Sequence, residues 1–140
     1  MARCGVYDRR FQEMILRFKR DNTELLRILV PLANSAFTGS PFYGRIDLLV
    51  PVPLHWTRRL RRGYNQASLI ARRLRHPKVK VSESLIRIRA TRPQPSMTSR
   101  AQRRRNVKGA FRVRNPYVIK GRTLCLVDAC LSLPHVRRKA

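Results

Sequence analysis

The chain has 140 residues, 43% of them hydrophobic, and 32 Lys and Arg against 7 Asp and Glu, a formal net charge of +25. This length and apolar content suit one domain with a buried core and exclude a wholly disordered chain. The charge selects polyanionic partners: nucleic acid, acidic membrane or nucleotide phosphates. It is unevenly spread, with eight Lys/Arg and five acids in residues 1–50 (+3) and 24 against two in residues 51–140 (+22).

Cys4, Cys125 and Cys130 form an odd set with no C-x-x-C pair. Reduced thiols are expected, with no zinc knuckle, no disulfide framework and no metal site. The opening "MARCGVYDRRFQ" has no apolar h-region, so no signal peptide is expected. No run approaches the ~18–20 apolar residues of a membrane span. The expected location is the cytoplasm.

In chain order, Phe11, Met14, Ile15, Phe18, Leu25, Leu26, Leu29 and Leu32 recur at three- and four-residue steps. The spacing predicts helices over 8–20 and 23–36, with Asp21 or Thr23 able to cap the second. "TGSP" marks a loop, and "IDLLVPVP" over 46–53 predicts a buried strand. Gly63 permits a tight turn, and Asn65 or Ser68 starts a helix ended by His76–Pro77. "SLIRIRAT" predicts a strand, "PQPSMTS" a loop and "SRAQRRRN" a short basic helix. "GAFRV" and "YVIKGRTLCLVD" predict two more strands around a turn at Asn115–Pro116. Strands interleaved with helices favour an α/β domain.

Two basic clusters are candidate binding sites. Arg58, Arg59, Arg61 and Arg62 with Gly63, Tyr64, Asn65 and Gln66 lie where a strand gives way to a helix. Guanidinium forks and helix-start N–H groups suit an anion cradle, and Trp56 and Tyr64 suit base stacking; a solvated charged face with core or rim aromatics is the competing reading. Arg100, Arg103, Arg104 and Arg105 with Asn106 form the second cluster. On a helix Arg100, Arg103 and Arg104 share a face able to track phosphates, or simply face water. His55, His76 and His135 lack matched acids, and Ser132 lacks nucleophile-elbow glycines, so no catalytic triad is read.

The final strand, Leu124–Val127, ends on Asp128, as a parallel strand does when it delivers an acid to a ligand site. Together the pieces "LLVPVPLHWTRRLRRGYNQASLIARRL", "RIRATRPQPSMTSRAQRRRNVKGAFRV" and "GRTLCLVD" resemble the ComF family of phosphoribosyltransferase-like proteins. The matching motifs are V-P-V-P at Val50 to Pro53, the Arg-rich G-[FY]-N-Q turn at Arg59 to Gln66 and T-x-x-Q at Thr91 to Gln94. R-x-x-N-V-x-G-A-F at Arg103 to Phe111 and L-V-D at Leu126 to Asp128 complete the series. With the preceding helical stretch, the similarity spans roughly residues 6–128, and the ordered series is what makes it specific.

The resemblance implies a type I phosphoribosyltransferase-like parallel-sheet core, incomplete at the C-terminus and preceded by helices. It divides the chain into a helical segment at 1–37, a partial core at 45–130 and a basic tail at 131–140. Intact relatives are expected to bind phosphoribosyl pyrophosphate with magnesium through two adjacent acids and a Thr/Gly phosphate loop. Here Asp128 matches the first acid, Ala129 replaces the second, and "CLSLPHV" lacks glycine and threonine. A vestigial site without catalytic residues is therefore expected. The family's amino-terminal cysteine module is represented by Cys4 alone, and its later strands are missing. The abrupt loss of pattern after Asp128 predicts a changed reading frame, whose neighbouring frames should encode the acid and phosphate loop.

The function implied is association with DNA uptake in competence, with single-stranded DNA and a helicase-like translocase as partners. The alternatives are a basic nucleic-acid-binding module without enzymatic activity, and a non-functional truncated product. An uncovered sheet edge beside Thr123–Asp128 predicts self-association.

Overall fold

The computed structural model describes residues 9–18, 23–93, 96–128 and 136–137. Two helices lead: α1 (Arg9–Phe18) and α2 (Leu26–Thr38), the second entered through a 3-10 turn at Thr23–Leu25. Their spacing buries Ile15, Phe18, Leu26 and Leu29, as the periodicity predicts; Ala33 and Phe37 join them, whereas Leu32, read as part of the same stripe, is exposed. Next come β1 (Leu48–Pro51), α3 (Trp56–Arg62), α4 (Gln66–Ala71), β2 (Lys80–Val81) and β3 (Leu85–Arg87). The chain continues through α5 (Arg100–Val107), β4 (Phe111–Val113), α6 (Pro116–Ile119), β5 (Leu124–Val127) and β6 (Val136–Arg137).

The main sheet has the order β2-β1-β5-β6, with β1 parallel to both β2 and β5 and β6 antiparallel to β5. A separate antiparallel ribbon pairs β3 with β4. The molecule is thus α/β, as the interleaving of elements predicts. All four residues of β1 are buried, which explains its unbroken apolar run. Leu49, Cys125 and Val127 meet α1, α2 and α4 in one core, while alternation sends Leu48 and Val50 to the opposite face. Register is fixed where β1 begins. The Asp47 N–H donates to the Thr123 carbonyl at 2.9 Å, and its carboxylate accepts from the Thr123 N–H at 2.6 Å.

Local chemistry sets the helix starts. Asn65 caps α4, and Ser99 with Gln102 closes a capping box on α5. Three expectations need correction. Residues 56–62 form a helix that the sequence reading missed, because its apolar pair, Trp56 and Leu60, faces water instead of a core. The start of "YVIKGRTLCLVD" is helical, since Asn115 accepts from the Tyr117 N–H and Pro116 occupies the first helical position. Capping there outweighs the β-branched content. Finally, the outer edge of β5 is covered at Leu124 and Cys125 by β6, which lies within the expected basic tail. The uncovered edge behind the self-association expectation is absent there.

Candidate functional site

β1 leads through α3 and α4 to β2 on one side, and the chain returns through the ribbon and α6 to β5 on the other. Strand order therefore reverses between β1 and β5. Open α/β sheets bind ligands in the crevice beyond the carboxyl ends at such a point. Val52 and Asp128 follow the two strands there, and the Val52 N–H donates to the Val127 carbonyl at 2.8 Å. Asn65 Nδ2 then donates to the Val52 carbonyl at 3.1 Å, while its Oδ1 accepts from the Ala67 N–H at 3.1 Å.

Cationic groups converge on this end. Arg58 reaches from α3 to donate through Nη2 to the Thr91 carbonyl at 2.5 Å. Arg87, on β3, donates through Nη2 to the Thr91 hydroxyl, and its guanidinium lies 5.2 Å from the centre of the Phe111 ring. Phe111 is its cross-strand partner. Arg87 Nε is buried without a hydrogen-bond partner among the described residues. Burial lowers the Arg87 pKa from its ordinary value, the neighbouring Arg58 charge pushes the same way, and Asp128 opposes both. Two half-buried guanidiniums thus meet at Thr91, and one of them, Arg87, feels the half-buried Asp128 carboxylate, leaving a positive surplus suited to an oxyanion. Arg87 was not anticipated. The signal was the I-R-I-R alternation, which sets Arg87 and Arg89 on one strand face.

The other expected residues are distributed as follows. Arg59 and Arg61 are exposed, Arg62 is half-buried, and Gly63 closes α3 in the left-handed region (φ 71°), where a side chain would be strained. Tyr64 donates from its hydroxyl to the Phe18 carbonyl at 3.3 Å, tying α4's entry to α1. Arg100, Arg103, Arg104 and Arg105 are all exposed on α5, and Arg103 also donates to the Met97 carbonyl. Asn106 exchanges hydrogen bonds with the Arg92 backbone, and Arg89 donates to the Asn106 and Lys108 carbonyls at the helix end. The α5 arginines form a cluster of their own, fastened to the loop after β3.

Two histidines are structural. His55 is buried, with Nδ1 2.8 Å from the Thr57 hydroxyl. His76 Nδ1 accepts from the Lys78 and Val79 N–H groups, so Nε2 is the donor to the Tyr43 carbonyl. His135, Ser132, Ala129, Cys4 and Cys130 lie outside the described residues. An open depression of about 540 Å³ between α2 and Arg73 shares no residue with the strand-end group. Among the described residues, no three His, Cys, Asp or Glu gather as a metal site, and no helix is long and apolar enough to cross a membrane.

No family model matches the chain, and no solved structure matches it. Curated proteins do. The chain is 39% identical over 93 residues to DNA utilization protein YhgH of Salmonella typhi, covering 65% of this chain and 38% of that protein. It is 40% identical over 85 residues to the protein of that name in Escherichia coli O157:H7, covering 59% and 36%. The protein of Escherichia coli strain K12 gives the same identity and coverage. The chain spans under two-fifths of the length of these relatives.

Proposed function

We propose that this chain is a ComF-like, phosphoribosyltransferase-like module that serves DNA utilization by binding single-stranded DNA and carries out no phosphoribosyl transfer. One observation carries the reading. Arg58 and Arg87 meet at Thr91, with Arg87 under the influence of the Asp128 charge, near the strand-order reversal where the family would hold its sugar phosphate. The similarity to proteins named for DNA utilization supports the DNA side. Residues 51–140 hold only Glu83 and Asp128 as acids, and Glu83 is engaged by Arg72 at 2.9 Å, so most of their cations remain for phosphates. Loss of transfer follows from Ala129, which cannot accept from a ribose hydroxyl, and from a following stretch without glycine or threonine. The partner that the resemblance implies is a helicase-like translocase supplying the strand.

Two measurements test this. Binding to a single-stranded oligonucleotide should weaken steeply with salt, as counterion release requires, and salt-insensitive affinity would overturn the DNA reading. Turnover of phosphoribosyl pyrophosphate with each common base should be undetectable. Appreciable turnover abolished in Asp128→Ala would overturn the loss of activity.

A further inference from the structure

We infer that the exposed face of α3 built from Trp56, Arg59 and Leu60 is a stacking platform for the bases of single-stranded DNA. This inference rests on the DNA-binding reading and assigns the contact surface. The three residues sit at helical positions i, i+3 and i+4, so they share one face. Trp56 is 64% exposed and Leu60 75% exposed, and Arg59 between them is also exposed. A tryptophan this open on a helix that contributes nothing buried to the core has no packing role to account for it.

The indole is not left loose. Its ring lies 5.7 Å from that of His55, tilted by 40°. His55 is itself buried and held by the Thr57 hydroxyl at 2.8 Å. The opposite side of the helix is anchored by Arg58, which donates to the Thr91 carbonyl. A fixed, exposed aromatic flanked by cations is the arrangement that sequence-tolerant single-strand binding uses, because every base offers a π-face and every nucleotide a phosphate. Charge chooses this occupant over an apolar one. α3 contains four arginines and no acid, within the half of the chain that carries +22.

Trp56 is the chain's one tryptophan, so its fluorescence reports on this face alone. The test titrates the full chain, its Trp56→Ala and Trp56→Phe variants, and Arg104→Gln with oligo(dT) and with a duplex of equal charge. Oligo(dT) should quench the tryptophan, and the duplex should bind without comparable quenching. By fluorescence anisotropy of labelled oligo(dT), Trp56→Ala should lose roughly 5- to 150-fold in affinity, the span of one stacked base, while Trp56→Phe keeps most of it. Arg104→Gln, which removes one candidate phosphate contact, should weaken binding yet reach the same quenching at saturation. Oligo(dT) bound with neither quenching nor loss in Trp56→Ala would overturn the platform and leave DNA binding standing. No binding at all would overturn both. Tryptophan emission that shifts to the blue with protein concentration alone would assign the face to a second copy and overturn the proposal. Unchanged circular dichroism in both variants, expected for an exposed residue, ties any loss to the missing ring.

Discussion

Asn65 reaches back across the turn and holds the carbonyl of Val52, the first residue after β1, at 3.1 Å. Its other side-chain atom caps α4, so one amide fixes both the end of the strand and the start of the helix. The two jobs need different atoms. Asn65→Asp should keep the cap but lose the donor to Val52, leaving a carboxylate against a carbonyl, and cost about 1–2 kcal/mol. Asn65→Ala should lose both and cost more, about 2–3 kcal/mol. Urea unfolding of the three proteins checks this. Equal stability of Asn65→Asp and wild type would mean that the Val52 contact contributes nothing.

A second outcome concerns Arg87 and Arg58, whose charges oppose one another beside Asp128. An oxyanion bound between them relieves that repulsion and stabilises the fold by mass action. At 100 times its dissociation constant, pyrophosphate should add about 2.7 kcal/mol and raise the melting temperature by several degrees. Arg87→Gln should abolish most of the shift. An equal shift in both proteins would place the anion elsewhere on the basic surface.

These residues also mark how far the sequence could be read. The buried run Leu48–Pro51, the amphipathic spacing of Ile15, Phe18, Leu26 and Leu29, and Asn65 as one of two candidate starts for α4 were legible, because each is a local signal, whereas the Ser99 cap was not read. Asp128 at the end of β5 was legible for the same reason. Arg87 was not, since its role depends on Phe111 across the ribbon and on Arg58 from another element, and such pairings leave no local pattern. α3 was missed because its apolar residues face outward, so no inward stripe announced a helix. β6 spans two residues, too short for any alternation to show.

The α5 arginines, grouped by sequence, share one helix but differ in their contacts. Arg103, Arg104 and Arg105 are all exposed, but Arg103 Nε and Nη2 donate to the Met97 carbonyl. Replacing Arg104 and Arg105 together with Gln should make the salt dependence of oligonucleotide binding shallower by up to roughly two units, at little cost in stability. Arg103→Gln should leave the slope nearly unchanged and destabilise the fold by about 1 kcal/mol, the worth of one such hydrogen bond. A slope change from Arg103→Gln as large as that from either neighbour would show that Arg103 leaves Met97 to contact phosphate.

Cys125 supplies a pH dependence whose sign can be worked out. It sits on β5, fully buried against α2 and α4, and burial pushes its thiol pKa up from 9.0 to about 12. The folded chain therefore keeps the proton over a range in which the unfolded chain releases it. Stability is intact below about pH 9 and falls as pH rises toward 12, by as much as roughly 4 kcal/mol once both states are ionised. Cys125→Ala should be less stable at pH 7 by about 1–2 kcal/mol for the small cavity, but should lose this alkaline component. Tyrosines and lysines titrate in both proteins, so the difference between their urea midpoints from pH 8 to 11 isolates the thiol. The gap should narrow and then reverse as pH rises. A gap that stays constant would mean that water reaches Cys125 and that the core around β5 is looser than its packing implies.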